Sequence, residues 1–254
     1  MLLAVLVVRH QVRDLISIFR QHWKITLLAG ALNPCFYYIV LFEAYDRLPA
    51  QVAQPINYTW AITLTFMSIV FLKQKISIAD IVAALVCYTG VVVIATQGDL
   101  SGFGSSDRVG VGLALFSTIL WASYWILNVR DPRDPVTGMF LNFLVALPVV
   151  AIMCQVFSGF KVPFPGLMGA IYTGLFEMSL AFLFWSFALR LSENTSRVSN
   201  LIFLSPFLSL VFINQVLGET IYPTTYIGLV FISCGLLYQQ WSHARAIANP
   251  TVSG

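Results

Sequence analysis

The sequence predicts an all-α integral membrane protein, and two features of its composition and patterning carry this prediction. Of the 254 residues, 58% are hydrophobic and only 10% are charged, whereas soluble domains carry roughly 25% charged residues. The apolar residues also occur in runs of about 20, the length that crosses a bilayer as a helix, rather than in the alternating strands of about ten residues that build membrane barrels. A lipid bilayer is therefore the expected environment of this chain.

The run from Pro49 to Leu72 contains no charged residue and is long enough to span a bilayer. One of its faces is nevertheless polar, because Gln54, Asn57 and Tyr58 recur at helical spacing. A polar stripe on a membrane helix is costly against lipid, so we expect it to face neighbouring helices or a wet cavity. Hydrogen bonding between helices and the lining of a substrate path are the two explanations that this pattern leaves open.

Eight membrane spans are predicted along the chain, separated by short loops with turn-forming residues. Before them, residues 9–24 are basic and amphipathic, which predicts a segment lying along the membrane surface. The predicted spans cover residues 25–45, 50–72, 76–96, 110–129, 136–157, 165–189, 197–217 and 223–241.

The basic residues predict the orientation of these spans. Alternate loops contain eleven of the 14 Lys and Arg residues, namely Arg9, Arg13, Arg20, Lys24, Lys73, Lys75, Arg130, Arg133, Arg190, Arg197 and Arg245. The loops between them contain only Arg47, Arg108 and Lys161. Because positively charged loops stay in the cytoplasm, we expect a multi-pass protein of the cell (inner) membrane with a cytoplasmic C-terminus.

Residues 28–97 resemble residues 172–242. Gly30 matches Gly174 at an offset of 144 residues, and Gly90 matches Gly235 at an offset of 145. The repeat unit contains five spans, and because five is odd the second copy crosses the membrane in the opposite direction. Inverted repeats of this kind are the architecture of secondary transporters, whose substrate sites lie near the midplane where the halves meet.

This repeat divides the chain into an incomplete first repeat at 1–97, a second repeat at 110–242 and a cytoplasmic tail at 243–254. At the same offset, residues 1–8 align with residues 146–153, and nothing in the chain matches the span at 110–129. We therefore expect a ten-helix transporter design from which the first helix and most of the second are missing in this chain.

Several motifs resemble those of one transporter family. The run ILWASYW ends at Trp125, and the second repeat contains LSPFLSLVFINQVLGETIY followed by GLVFISCGLLY. In order and spacing, and over nearly the whole chain, these segments resemble the EamA family of the drug/metabolite transporter superfamily. The resemblance implies a helical membrane transporter with two inverted five-helix repeats.

The sequence Asn57-Tyr58-Thr59-Trp60 also resembles the NYxWP motif of bacterial aromatic amino-acid exporters in the same superfamily, with Ala61 in the place of the motif's proline. This resemblance implies an exporter of amino acids or related small metabolites, with less weight on an aromatic substrate because the proline is replaced.

The candidate substrate-binding residues are polar and aromatic side chains on the faces of these helices that we expect to meet around a cavity. Ordinary packing accounts for any single aromatic residue equally well, but several of them share one face of their helix. The candidates are Asn33, Tyr37, Gln54, Asn57, Tyr58, Trp60, Trp121, Tyr124, Glu177 and Phe203.

Glu177 is the most informative candidate because it lies about halfway along a predicted span. A carboxylate at that depth is costly unless it is paired, hydrated or protonated. It is therefore a candidate site for a proton or for a substrate amino group, and a structural bond to a neighbouring helix is the alternative. Its counterpart in the first repeat is Asn33.

No catalytic, metal or cofactor site is predicted. The four cysteines lie in apolar segments without a CxxC pair, the three histidines fall outside the spans, and no GxxxxGK[ST] phosphate loop occurs. We expect a secondary active transporter that works by alternating access, with a small-molecule substrate and the lipid bilayer as partners and without nucleic acid. Proton coupling and a homodimer are left open. A multidrug or nucleotide-sugar transporter of the same fold and a non-transporting membrane subunit are the alternatives.

Overall fold

The computed structural model describes residues 1–72, 77–96, 107–157, 159–160, 162–182, 184 and 205–248. Within these ranges the chain forms helices and no strands, which confirms the all-α class. The α-helices are α1 (Leu2–Val8), α2 (Leu15–Gly30), α3 (Tyr37–Arg47), α4 (Ala50–Asn57), α5 (Trp60–Leu72), α6 (Ile78–Thr96), α7 (Arg108–Arg130), α8 (Pro135–Phe157), α9 (Phe164–Tyr172), α10 (Ser205–Phe212) and α11 (Pro223–Ala248). The π-helical segments Ala31–Phe36, Thr173–Ala181 and Ile213–Leu217 follow α2, α9 and α10.

Four helical stretches of the described residues are long and apolar enough to cross a membrane. They are Val12–Arg47, Ile78–Thr96, Arg108–Asn128 and Pro135–Phe157, and they correspond to four of the eight predicted spans. The predicted spans at 165–189 and 197–217 lie partly outside the described residues. The predicted span at 223–241 is a helix of sufficient length, α11, but Gln239 and Gln240 near its end make it more polar than the four.

The helical stretch that contains the first predicted span begins before residue 25. Helix α2 runs from Leu15 to Gly30 and has a kink at His22, where φ is −120° and ψ is 25°. The kink separates residues 15–21, which belong to the segment expected on the membrane surface, from the residues of the predicted span, and the surface position of residues 9–24 stays a prediction. Asn33 leaves the helical region with φ −137° and ψ 116°, as expected for a residue that precedes a proline.

The chain forms two compact units. The first unit contains residues 1–36 and 127–193, and the second contains residues 37–126 and 194–254. The predicted division into repeats at 1–97 and 110–242 with a tail at 243–254 stays a prediction.

In the first unit, α2 packs against α8. Helix α1 also packs against α8, where Leu2, Leu6, Val136 and Met139 form a buried apolar cluster. At Gly30, helices α2 and α8 approach so closely that a Cβ atom would lie 2.6 Å from the carbonyl oxygen of Asn142. Small residues at such crossings are typical of membrane helices, because they let two backbones pack closely.

Arg133, one of the basic residues predicted in a cytoplasmic loop, is buried, with its side chain only 2% exposed. Its Nε donates to the two carboxylate oxygens of Asp131 at 2.8 and 2.9 Å. Nη1 donates to the Thr26 hydroxyl at 2.7 Å, and Nη2 to Oδ1 of Asn142 at 3.2 Å. A buried charge is tolerated when it is paired in this way. Arg133 therefore ties the segment before α8 to α2, and Asp131 balances its charge.

In the second unit, α6 and α11 form the most extensive helix pair and run antiparallel. A Cβ atom at Gly90 would lie 2.5 Å from the carbonyl oxygen of Gly228, and one at Gly235 would lie 2.8 Å from that of Ala83. Between these two crossings, the thiol of Cys87 donates to the carbonyl oxygen of Ile232 at 3.3 Å. The buried cluster around this pair includes Val52, Ile56, Ile62, Ala83, Val91, Ala114, Ile232 and Leu236.

Replacing Gly228 by alanine tests this close packing. The new methyl group would lie 2.6 Å from the carbonyl oxygen of Gly90, and it would also meet the Ile94 side chain. Because backbone atoms cannot move aside, we expect the free energy of unfolding to fall by about 1–3 kcal/mol. Reversible unfolding of the purified protein in mixed micelles measures this change.

Gly112→Ala is the matched control, because Gly112 lies in α7 and a Cβ atom there meets nothing within 4 Å. Alanine should leave the stability at that position unchanged or raise it by up to about 1 kcal/mol through its helix propensity. Equal stabilities of the Gly228→Ala and Gly112→Ala variants would contradict the packing described here.

Candidate functional site

The predicted span at 50–72 is two helices, because the chain breaks between Asn57 and Trp60. The hydroxyl of Thr59 donates to the carbonyl oxygen of Ile56 at 2.8 Å, and the backbone N–H of Thr59 donates to the same oxygen at 3.1 Å. A side chain that bonds a backbone carbonyl in this way competes with the regular helix. The prediction of one continuous helix is therefore wrong, and Tyr58 lies in the break.

A break of this kind in a membrane helix is a candidate location for a functional site. Irregular backbone at membrane depth is tolerated only where it is buried in protein or lines a cavity. In many transporters the substrate site is formed by interrupted helices of this kind. The motif-bearing segment Asn57 to Trp60 spans such a break in the second unit.

The side-chain amide of Asn57 links three helices. Tyr37 of α3 donates its hydroxyl to Oδ1 of Asn57 at 3.2 Å. Nδ2 of Asn57 donates to the hydroxyl of Ser117 in α7 at 2.8 Å, and that hydroxyl in turn donates to the carbonyl oxygen of Ala114 at 2.7 Å. The bonds hold the amide in one orientation at the end of α4. Gln54, one turn earlier on α4, is half-buried.

Five aromatic side chains, Tyr37, Trp60, Trp121, Tyr124 and Trp125, form an aromatic cluster beside this amide. Trp121 is its centre, with ring centroids 4.6 Å from Tyr37, 5.7 Å from Tyr124 and 5.9 Å from Trp125. The ring of Trp60 meets Trp121 edge to face at 6.5 Å. Tyr37 and Tyr124 are buried, whereas the three tryptophans are half-buried and keep part of their surface accessible.

Helix α7, which carries Ser117 and Trp121, is capped at its start by Asp107. The carboxylate of Asp107 accepts hydrogen bonds from the backbone N–H groups of Val109 at 2.7 Å and Gly110 at 3.2 Å. Arg47 at the end of α3 donates to the same carboxylate at 3.2 Å. The N–H groups of Gly110 and Val109, and then Arg47, hold the pKa of Asp107 below its usual range. The carboxylate therefore stays charged and keeps α3 and α7 joined at this end.

The site has no formal charge of its own. Asn57, Ser117 and the aromatic cluster offer neutral hydrogen-bonding groups and aromatic faces, which bind apolar groups, other rings or cations. Across the described residues, no group of three or more His, Cys, Asp or Glu side chains is arranged to hold a metal ion. The groups that are present suit recognition of a small molecule through hydrogen bonds and ring contacts.

Five of the ten sequence-predicted site residues therefore come together: Tyr37, Asn57, Trp60, Trp121 and Tyr124. Tyr58 and Gln54 lie on the same short stretch of chain, and Phe203 is outside the described residues. Ser117 also belongs to the site, because it lies one turn before Trp121 on the face of α7 whose spacing in the sequence predicts a lining role. Trp125 is a member of the site that was not among the candidates.

Asn33 belongs to the first unit and is fully buried. Its Oδ1 and Nδ2 atoms have no hydrogen-bond partner among the described residues. A buried polar group left unpaired costs about 1–3 kcal/mol, and groups of this kind are rare in folded proteins. Its role as a substrate contact stays a prediction. The unpaired amide is consistent with that role, because a ligand could satisfy its hydrogen bonds.

Glu177 also belongs to the first unit and lies in the π-helical segment Thr173–Ala181. Its side chain is exposed. Short π-helical turns inside α-helices are frequently found at functional sites. The structure thus places Glu177 on an irregular helical segment, and its role in proton or amine binding stays a prediction.

Comparison with known proteins identifies the family. The family model described as the EamA-like transporter family matches residues 1–96 and 108–238. An uncharacterized transporter of Clostridium kluyveri is 26% identical over 86% of this chain and 72% of its own length. A protein of Streptantibioticus cattleyicolor named "Probable terminal-alkyne amino-acid exporter" is 25% identical over 79% of this chain and 67% of its own length. Protein PecM of Dickeya dadantii is 25% identical over 86% and 73%.

No solved structure matches the chain significantly. The match to the family model covers nearly the whole chain, and the relatives named by function are transporters and not enzymes. This agrees with the expected fold, with the absence of a predicted catalytic centre and with the resemblance in the motifs. The chain belongs to the EamA-like transporter family.

Proposed function

We propose that this chain is a secondary active transporter that exports amino acids or related small metabolites by alternating access. The observation that carries the proposal is the uncharged aromatic cluster with the fixed amide of Asn57, beside a break in a membrane helix of a transporter-family chain. Small-molecule substrates and a membrane environment follow from the family. The substrate class, the direction of transport and the alternating-access mechanism are the proposed parts.

The substrate class is supported by the chemistry of the site. The faces of Trp60 and Trp121 suit an apolar or aromatic side chain, and Asn57 provides an amide within a network of hydrogen bonds. The site has no lysine or arginine, which phosphorylated substrates such as nucleotide sugars require for binding. One relative is named as an amino-acid exporter.

Alternating access is supported by a symmetry in the contacts between α6 and α11. Cys87 bonds to Ile232, which lies 145 positions further along the chain, and 145 is the repeat offset found in the sequence. Advancing Ala83 and Gly90 by this offset gives Gly228 and Gly235. The contact of Gly90 with Gly228 and that of Ala83 with Gly235 are therefore exchanged by the repeat. A two-fold relation between two inverted copies produces this pattern of paired contacts.

We further propose that the C-terminus lies in the cytoplasm, on the distribution of basic residues along the chain. The burial of Arg133 removes one freely charged residue from that comparison but leaves the excess in place.

The orientation is testable with a reporter fused after Gly254. A phosphatase that is active only outside the cytoplasm should give no signal there, because the basic loops hold that end inside. The same reporter inserted in the loop after Arg47 is the control and should be active. Strong activity at the C-terminus would overturn the orientation.

Trp121→Ala tests the substrate site. We expect about tenfold weaker transport, because losing an aromatic contact of about 1.5 kcal/mol corresponds to a tenfold change in affinity. The measurement is exchange of a panel of radiolabelled amino acids in proteoliposomes.

Phe116→Ala is the matched control for Trp121→Ala. Phe116 is an aromatic residue on the same helix, but its side chain is 47% exposed and it lies outside the aromatic cluster. This variant should transport normally. If the Trp121→Ala variant exchanged every transported amino acid at the wild-type rate, the aromatic cluster would serve only to pack the helices.

Glu177→Gln tests whether Glu177 is the proton site or the amine site that the sequence predicts. The amide keeps the shape of the side chain but does not titrate, so transport driven by a pH gradient should collapse while substrate exchange at constant pH survives. Glu43→Gln is the control, because Glu43 is an exposed carboxylate paired with Arg47 at the end of α3. A loss of substrate affinity, of about 2–5 kcal/mol for a desolvated charge pair, would instead assign Glu177 to a substrate amine. If both the transport driven by a pH gradient and the substrate affinity were unchanged, the Glu177 carboxylate would have only a structural role.

A further inference from the structure

The short helix α4, which carries Gln54 and Asn57, is capped by a residue far away in the sequence. Pro49 precedes the helix and provides no side-chain cap. Instead, the carboxylate of Glu219 accepts hydrogen bonds from the backbone N–H groups of Ala50 at 3.0 Å and Gln51 at 3.3 Å. A carboxylate at the start of a helix also interacts favourably with the helix dipole.

Gln51 completes the connection in the opposite direction. Its side chain is only 2% exposed, and its Nε2 donates to the carbonyl oxygen of Thr220 at 2.8 Å. Its Oε1 accepts from the backbone N–H of Tyr222 at 2.7 Å and from the hydroxyl of Thr225 at 3.3 Å. Since α11 begins at Pro223, Gln51 bonds the start of α11 while Glu219 caps the start of α4.

This pair of caps determines where α4 can lie. The helix has eight residues, and helices shorter than about 12 residues are marginal without tertiary contacts. Beneath the caps, Ala50 and Ile221 pack on the buried cluster of Leu210, Ile213 and Leu229. At its other end α4 stops at the break, where Asn57 bonds to Tyr37 and Ser117.

We propose that Glu219 is a positioning residue of the substrate site: it fixes the start of α4 and through that helix sets the place of Asn57 against α3 and α7. Gln51 shares this role, because it holds the segment after Glu219 in register with α4. The inference rests on the proposed function for the role of Asn57, but the geometric part of it stands by itself.

The test compares Glu219→Gln with Asp134→Asn. Asp134 is a matched control because it is also a half-buried carboxylate capping a helix, with Oδ2 accepting from the backbone N–H groups of Val136 at 3.0 Å and Thr137 at 3.1 Å. It caps α8, which carries none of the residues of the substrate site.

The first readout needs no substrate. With the four native cysteines replaced by alanine, Asn57→Cys and Ser117→Cys are joined by a short bifunctional thiol reagent. Adding Glu219→Gln should slow this cross-linking several-fold and speed amide hydrogen exchange in residues 50–57, whereas Asp134→Asn should change neither. Where Glu219→Gln does not yield folded protein, Gln51→Met replaces it, because it removes the bonds to Thr220, Tyr222 and Thr225 and keeps the side-chain length.

The second readout is exchange of radiolabelled L-phenylalanine in proteoliposomes. We expect Glu219→Gln to raise the KM more than it lowers the maximal rate, and to add little to the effect of Asn57→Ala, because residues acting through the same contact are not additive. Additive effects, or cross-linking equal to that of Asp134→Asn, would overturn the positioning role. If the wild-type protein exchanges neither phenylalanine nor any other amino acid of the panel, the proposed substrate class fails, and the cross-linking result still decides the positioning role.

Discussion

The fold depends on one constraint, which is that backbone polar groups in a bilayer find no water and must bond inside the protein. Helices satisfy this requirement along their length, so the places where they stop or break need a specific partner. At Thr59 a hydroxyl and an N–H share the carbonyl oxygen of Ile56. At the start of α4 the partner is Glu219, and at the start of α7 it is Asp107. The irregular positions are therefore defined by named side chains.

Charged and strongly polar groups follow the same rule. Arg133 is buried against Asp131, Thr26 and Asn142, and the buried carboxylate of Asp80 accepts bonds from Ser77 and from Gln239 of α11. These groups lie at or near helix ends, whereas the candidate site around Asn57 and Trp121 contains only neutral groups. Charge therefore fixes the ends of the helices, and the site between them is left for aromatic and amide contacts.

Much of this could be predicted from the sequence, because periodicity records which face of a helix is buried. The spacing of Trp121 and Tyr124 on α7, and the polar stripe on α4, placed them on one face, and the structure brings them together. The break at Thr59 could not be predicted, since it depends on a hydroxyl competing locally with the backbone. The burial of Arg133 was also hidden, because a charged residue between two prolines usually indicates an exposed turn. Nor does periodicity show that Glu219 reaches Ala50, which lies 169 residues earlier in the chain.

A neutral site does not provide partners for the charged groups of an amino-acid substrate. A zwitterion brings an ammonium and a carboxylate group, and each is costly to bury without a partner. The aromatic cluster offers the ammonium group only ring faces, and Asn57 is already bonded to Tyr37 and Ser117. The groups of this site therefore match the apolar or ring-bearing part of such a substrate and leave its two charged ends without a partner of opposite charge. A hydrophobic cation brings one charge and an amino acid brings two, so the number of charged ends that need a partner separates an amino-acid exporter from a drug exporter of the same fold.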